Sequence, residues 1–216
     1  MPPTLPTPTT TARQDAKRLR RTLRAQRKAI APAKRIAAGR RAARLLVRQH
    51  RFRAAGDIAL FLAMGEEISA DPLIRIAQRH GKRLYVPLIL PGQRMRFVPL
   101  LPDTVLTLNR FGIREPEPGA HPGIDPRRLD LVVTPLLGFD RRGSRLGMGG
   151  GFYDRHFAFL RHRRRYRRPF LLGMTYAIQE LPHIDRQPWD VPLHAIVTEC
   201  EWISTPSQPY RPRRPE

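Results

Sequence analysis

The sequence predicts an α/β fold: a single domain with a mainly parallel central sheet flanked by helices, preceded by two arginine-rich helices. Three observations predict it. Short apolar runs of strand length alternate with segments that read as helices, the order expected of a parallel sheet. A chain of 216 residues, 41% of them hydrophobic, can bury one good core and is too short for two ordinary domains. The Pro/Thr-rich residues 1–11 and the Pro/Arg-rich residues 204–216 read as disordered tails, which leaves a folded body over residues 12–203.

From Ala12 the chain reads as a helix with Leu19, Leu23 and Ile30 as a thin apolar stripe among arginines. A second helix opens at Pro32, a favoured first-turn position, with Ile36, Ala43, Leu46 and Val47 expected on its inner side. Ile58-Ala-Leu-Phe-Leu62 has strand length, and Ser69-Ala-Asp-Pro72 starts a helix that ends at His80-Gly81. Leu84-Tyr-Val-Pro-Leu88 and residues 95–100 form a hairpin across the turn Pro91-Gly-Gln-Arg94. Residues 102–126 hold many prolines and glycines and read as a long excursion of the kind that often binds ligands. A strand over Leu131–Pro135, a glycine loop, a helix over about residues 151–161, and strands at 170–174 and 195–198 complete the body.

Composition narrows the function classes. The single cysteine, Cys200, rules out an intrachain disulfide and a cysteine-rich zinc cluster; it fits a reducing cytoplasm and is expected to be a buried packing residue. No apolar run reaches the length of a membrane span, and the proline-rich start lacks the hydrophobic centre of a signal peptide, so no membrane partner is expected. The net charge of +22 is segmental. Residues 13–53 carry 16 Lys/Arg against Asp15 alone, and six arginines lie in residues 161–168, so the body around the glycine loop is nearly neutral. Such runs are usually solvated faces. They also attract polyanions, but no nucleic-acid signature accompanies them, and nucleic acid is not expected as the main partner.

The chemistry concentrates in Arg145-Leu-Gly-Met-Gly-Gly-Gly-Phe-Tyr-Asp154. Gly147, Gly149, Gly150 and Gly151 remove side chains where backbone N–H groups must approach an anion, and a helix start beyond them adds its positive end. Arg145 supplies a phosphate clamp, Phe152 and Tyr153 flat surfaces, and Asp154 a hard-cation carboxylate. The loop is not a Walker A motif, since no Gly-Lys-Ser/Thr follows, and Phe152 stands where a dinucleotide fingerprint needs its third glycine.

These residues resemble the 5-formyltetrahydrofolate cyclo-ligase family. The likeness runs from Lys17 to about Glu201 and is most specific over residues 137–154. Supporting segments are residues 19–27, 61–68, 111–116 and Asp190-Val-Pro-Leu-His-Ala-Ile-Val-Thr-Glu199. The resemblance implies a cytoplasmic, ATP-dependent enzyme, expected to be a monomer, that turns 5-formyltetrahydrofolate into 5,10-methenyltetrahydrofolate with magnesium. ATP is the co-substrate, and the folate is expected with or without a polyglutamate tail.

By the same resemblance, the ATP site comprises Lys17, Arg20 and Arg21 from the first helix with Arg145, Leu146, Gly147, Met148, Gly149, Gly150, Gly151, Phe152 and Tyr153. Which of Lys17, Arg20 and Arg21 meets nucleotide stays open, because the register is displaced by one residue. Arg145 and Tyr153 are the implied catalytic pair. Leu62, Met64, Glu67, Phe152 and Tyr153 line the folate, with Glu67 accepting donors from the pterin edge. Asp154 and Asp190 hold magnesium, though each alone also reads as an ordinary loop or first-turn acid. Gly150 departs from relatives that carry lysine there. The competing expectations are a nucleic-acid-associated protein on a decayed cyclo-ligase body and a paralogue that uses ATP on another metabolite.

Overall fold

The computed structural model describes residues 10–92, 94–109, 112–117, 122–162 and 168–206. Most of both expected tails, Phe111 of the 111–116 segment and the arginines between 163 and 167 lie outside the described residues.

Helix α1 (Thr10–Lys28) and helix α2 (Pro32–Val47) are followed by a short helix α3 (His50–Ala54) that was not expected. It buries Phe52, the one large apolar side chain in an otherwise basic stretch. Strand β1 (Asp57–Ala59), helix α4 (Asp71–Arg79) and the hairpin β2 (Arg83–Leu90) and β3 (Arg94–Pro99) come next. Within the excursion lies a small ribbon, β4 (Leu106–Leu108) and β5 (Arg114–Pro116). Strand β6 (Leu131–Pro135) leads into a second ribbon, β7 (Gly138–Phe139) and β8 (Arg145–Leu146). Helix α5 (Phe152–His156), β9 (Phe170–Met174), β10 (Ala195–Val197) and β11 (Trp202–Ser204) finish the chain.

The main sheet runs β11-β10-β9-β6-β1-β2-β3 and is parallel except at its two edge pairs, β10/β11 and β2/β3. Its central strands are apolar on both faces, as strands covered on both sides must be. Ile58, Leu131, Val133, Leu172, Ala195 and Val197 face one core with α2 and α4, whereas Ala59, Val132, Leu171 and Ile196 face a second core with Phe97, Phe139 and Phe157. The alternation follows from the two-residue period of a strand.

Helix α2 lies close to its neighbours because its inner face is small: Ala38, Gly39, Ala42 and Ala43 with Leu46. A Cβ on Gly39 would come within 2.7 Å of the Ser69 carbonyl oxygen. Ile36, expected inside, is instead 55% exposed. It sits on the flank of the buried stripe, lining a surface depression with Ala33, Ala37 and Arg40.

Three further expectations are corrected. The helix expected over about 151–161 is one five-residue helix followed by a 3-10 turn over Ala158–His162, so the loop gains free amides of a single turn and no long helix dipole. Ser204 lies in β11 opposite Ala195, and Thr205 donates to the Leu193 carbonyl, so the body extends past residue 203. Cys200 is exposed, because Thr198 Oγ1 accepts from the Cys200 and Glu201 amides in a tight turn that carries the thiol outward.

Candidate active site

The carboxyl ends of β1, β6 and β9 face one side, where ligands of parallel sheets sit, and α1 lies across it. Leu23 of α1 is buried with Leu137, Leu146 and Ile184, and Leu19 packs beside them. This small cluster holds the arginine-rich helix on the β7–β8 ribbon.

The ribbon presents Arg145 and the glycine loop. Its turn is organised by Asp140, a fully buried carboxylate that accepts from the amides of Arg142, Ser144 and Ile184, each at 3.0 Å, and from the Arg142 guanidinium. One side chain thus ties the ribbon to the loop that leads to Asp190. In the glycine loop, Gly149 has φ 105° and Gly151 φ 61°, conformations that L side chains rarely adopt. Gly150 has an ordinary φ but no room: a Cβ there would sit 2.7 Å from the Phe152 ring.

Arg20 donates from Nε to the Gly147 carbonyl oxygen at 2.9 Å, and its guanidinium borders Gly149. Burial pushes the Arg20 pKa down, with Arg24 acting in the same direction. Arg24 reaches the Met148 sulfur at 3.8 Å. Lys17 and Arg21 are exposed. Of the three basic residues left open, the fold therefore brings Arg20 to the loop; Lys17 lies one turn earlier on the same helix face, and Arg21 is turned about 100° away.

Arg145 is almost covered, with its side chain 7% exposed, and donates to Asp154 Oδ1 at 2.5 Å and to the Val191 carbonyl oxygen. Asp154 also accepts from the Val191 amide, which brings it beside Asp190. Burial pushes the Asp190 carboxyl up to about 6; the Asp154 charge adds to this, and the Gln187 amide, Arg145 and Arg186 oppose it. Among the described residues no three His, Cys, Asp or Glu side chains gather as a metal cage. Two adjoining acids, one poorly solvated and repelled by the other, nevertheless fit magnesium, which commonly takes one or two carboxylates and completes its shell with phosphate and water.

On the other side of the loop lies Glu67, after β1, with Leu62 buried and Met64 half-buried. The Glu67 carboxylate accepts from the Met64 amide at 3.1 Å and pairs with Arg27 of α1 at 3.7 Å. Burial raises its pKa, against the Met64 amide and Arg27. The Tyr153 hydroxyl is buried without a partner among the described residues, and its pKa is raised by burial and by Glu67, against Arg145. It remains a proton donor between the two halves of the site. Phe152 and Tyr153 also pack against the second core, so each serves packing as well as the site.

The model of the 5-formyltetrahydrofolate cyclo-ligase family matches residues 12–199, which span α1, the glycine loop and both acids. The chain belongs to that family. It is 34% identical over 185 residues to the 5-formyltetrahydrofolate cyclo-ligase of Escherichia coli (strain K12), covering 83% of this chain and 100% of that protein. The Haemophilus influenzae cyclo-ligase is 36% identical over 148 residues, covering 67% and 76% of the two chains. The fold is that of the 5,10-methenyltetrahydrofolate synthetase from Aquifex aeolicus, with TM-score 0.74 at 24% identity over 93% of this chain and 96% of the other. The Mycoplasma pneumoniae synthetase aligns with TM-score 0.68 at 21% identity, covering 86% and 99%.

Within this cyclo-ligase, several residues at the site were not singled out from sequence. Arg27 and Arg24 share the helix face of Arg20, so a helical count from Arg20 places both on the side that meets the site, whereas the pairing of Arg27 with Glu67 leaves no local signal. Asp140 stands in turn chemistry, Asp-Arg-Arg-Gly-Ser, that marks an acid accepting its own turn amides. Tyr176, after β9, carried no local signal.

Proposed function

We propose that this cyclo-ligase converts 5-formyltetrahydrofolate, ATP and magnesium into 5,10-methenyltetrahydrofolate, ADP and phosphate. The observation that carries the reading is the convergence of Arg20, the glycine loop and the Asp154/Asp190 pair at one end of the sheet.

An N-formyl group is a poor electrophile because its nitrogen lone pair is delocalised. Its oxygen first attacks the γ-phosphorus and ADP leaves. The side-chain nitrogen N10 then attacks the activated carbon and loses its proton, and phosphate departs as the ring closes. Phosphoryl transfer asks the protein chiefly for positioning and charge stabilisation. The amides of residues 147–151 would cradle the triphosphate, Arg20 and Arg145 would neutralise it, and Tyr153 would donate toward the transferring group. Lys17 and Arg21 would add charge at the outer rim. Magnesium, held by Asp154 and Asp190, would supply further neutralisation of phosphate oxygens. Leu62, Met64 and Phe152 would flank the pterin, and Glu67 would accept its N–H groups.

We place the protein in the cytoplasm, which accords with a single exposed thiol suited to a reducing compartment, and take it to act as a monomer. No helix among the described residues is long and apolar enough to cross a membrane. The exposed bases of α1 and α2 would suit the carboxylates of a polyglutamate tail, while Arg20, Arg27 and Arg145 are engaged within the site. The test is the magnesium- and ATP-dependent appearance of methenyltetrahydrofolate absorbance, abolished in Asp154→Asn. Salt-steep oligonucleotide binding that survives Asp154→Asn, without turnover of the formyl substrate, would support the nucleic-acid reading instead. ATP turnover on another acceptor alone would support the paralogue.

A further inference from the structure

Behind Glu67 lies a group of polar side chains that the reaction above does not use. Tyr176 follows β9 at the ligand-bearing end of the sheet, is 1% exposed, and its hydroxyl has no hydrogen-bond partner among the described residues. Arg27 is 4% exposed, and its Nε is likewise buried and without a partner among the described residues. Tyr176 packs in the same core as Leu62 and Ile68, the residues that flank Glu67, and Arg27 pairs with Glu67; the charges of Arg35, Arg27, Glu199 and Glu67 all bear on the Tyr176 hydroxyl.

The surroundings already commit Glu199 and the backbone that carries Tyr176. Glu199 accepts from the Ala177 amide at 2.9 Å. Gln179 accepts from Thr175 Oγ1 at 2.6 Å and from the Tyr176 amide at 3.4 Å, and donates to the Leu137 carbonyl, which fixes the backbone that carries the tyrosine. What remain among the described residues are three donors, the Tyr176 O–H and the Nε–H groups of Arg27 and Arg35, with the Glu67 carboxylate paired to Arg27. Buried donors without partners are rare because each costs about 1–3 kcal/mol in desolvation.

The edge of a pterin presents, in order, an amino group, a ring N–H and a carbonyl oxygen: two donors, then an acceptor. A carboxylate satisfies the first two and leaves the oxygen in need of a donor. We propose that Tyr176, assisted by Arg27, is a substrate-binding residue that receives the pterin carbonyl oxygen next to the N–H groups taken by Glu67. The proposal rests on the folate reading given above. It assigns to Tyr176 a role in specificity: a ring lacking the carbonyl would leave the Tyr176 and Arg27 donors unpaired and be rejected.

The experiment measures equilibrium binding of 5-formyltetrahydrofolate and of ATP, with the melting temperature of the free protein, for wild type, Tyr176→Phe and Arg27→Lys. Tyr176→Phe removes only the hydroxyl. It is expected to weaken formyl-substrate binding about tenfold or more, to change ATP binding less than about twofold, and to leave the melting temperature unchanged or higher. Arg27→Lys, which keeps a positive charge near Glu67 without Nε, is expected to weaken the same ligand selectively. Unchanged formyl-substrate binding in Tyr176→Phe overturns the proposal, as does a lowered melting temperature with equal loss of both ligands, which marks a structural hydroxyl. If wild type itself fails to bind the formyl substrate, the folate reading falls and this proposal with it. That result is told apart by appearing before any substitution.

Discussion

Arg20 reaches across 127 residues of sequence to donate to the Gly147 carbonyl oxygen at 2.9 Å. That bond closes α1 over the glycine loop, and seven residues further along the same helix, about 10 Å away, Arg27 pairs with Glu67. One helix face therefore spans the nucleotide end and the folate end of the site.

Arg20→Ala should raise the KM for ATP by about 10- to 100-fold, the equivalent of losing a charge-assisted hydrogen bond of about 1.5–3 kcal/mol. Lys17→Ala should have a smaller effect and Arg21→Ala the smallest, following their positions around the helix. Steady-state kinetics on the three variants checks the ranking; an Arg21 effect as large as that of Arg20 would refute it.

Gly149→Val places a β-branched side chain at φ 105°. The strain should cost about 1–3 kcal/mol of stability and remove ATP turnover by distorting the amide cradle. Denaturation and turnover measured together test this, and unimpaired turnover would count against the loop as the phosphate site.

Asp140→Asn replaces an acceptor of four hydrogen bonds with a group that turns a donor toward backbone N–H groups. Stability should fall by about 3 kcal/mol. At a temperature where the variant stays folded, the KM for ATP should rise more than the KM for the formyl substrate, since the ribbon carries Arg145 and not Glu67. Equal changes in the two constants would show that Asp140 acts only on overall stability.

Glu67 yields a pH-dependent test. Burial raises its pKa above the ordinary 4.5, so the folded state binds this proton more tightly than the unfolded state. Wild-type stability is therefore lost as pH rises from the unfolded value through the folded one. Glu67→Gln cannot lose a proton, so the melting temperature of the variant minus that of wild type should increase between pH 4 and pH 7. A constant difference would show that the carboxyl is not desolvated in solution.

Much of this molecule was legible in local sequence. The apolar run over Leu131–Pro135, the β2–β3 hairpin around Pro91 and Gly92, and the motif from Arg145 to Asp154 each carry their signal within a few residues, because strand periodicity, turn chemistry and glycine clusters are local properties. The length of the helix after the glycine loop was not legible: apolar spacing over 152–160 suits a helix, yet Phe157 and its neighbours are drawn into the second core and the chain turns. Cys200 and Ile36 are exposed for a related reason, since side-chain polarity does not report where a turn or a helix flank points.

By itself the sequence determined the α/β order, the glycine loop with its acid, and the family likeness, all of which are written in contiguous residues. The tertiary structure alone decided which arginine meets the loop, that Arg27 lies beside Glu67, and that Tyr176 comes to the same end of the sheet. Those are distances between segments far apart in the chain. They are set by the packing of Leu23 on the β7–β8 ribbon and by the order of parallel strands, neither of which leaves a mark in any short stretch of residues.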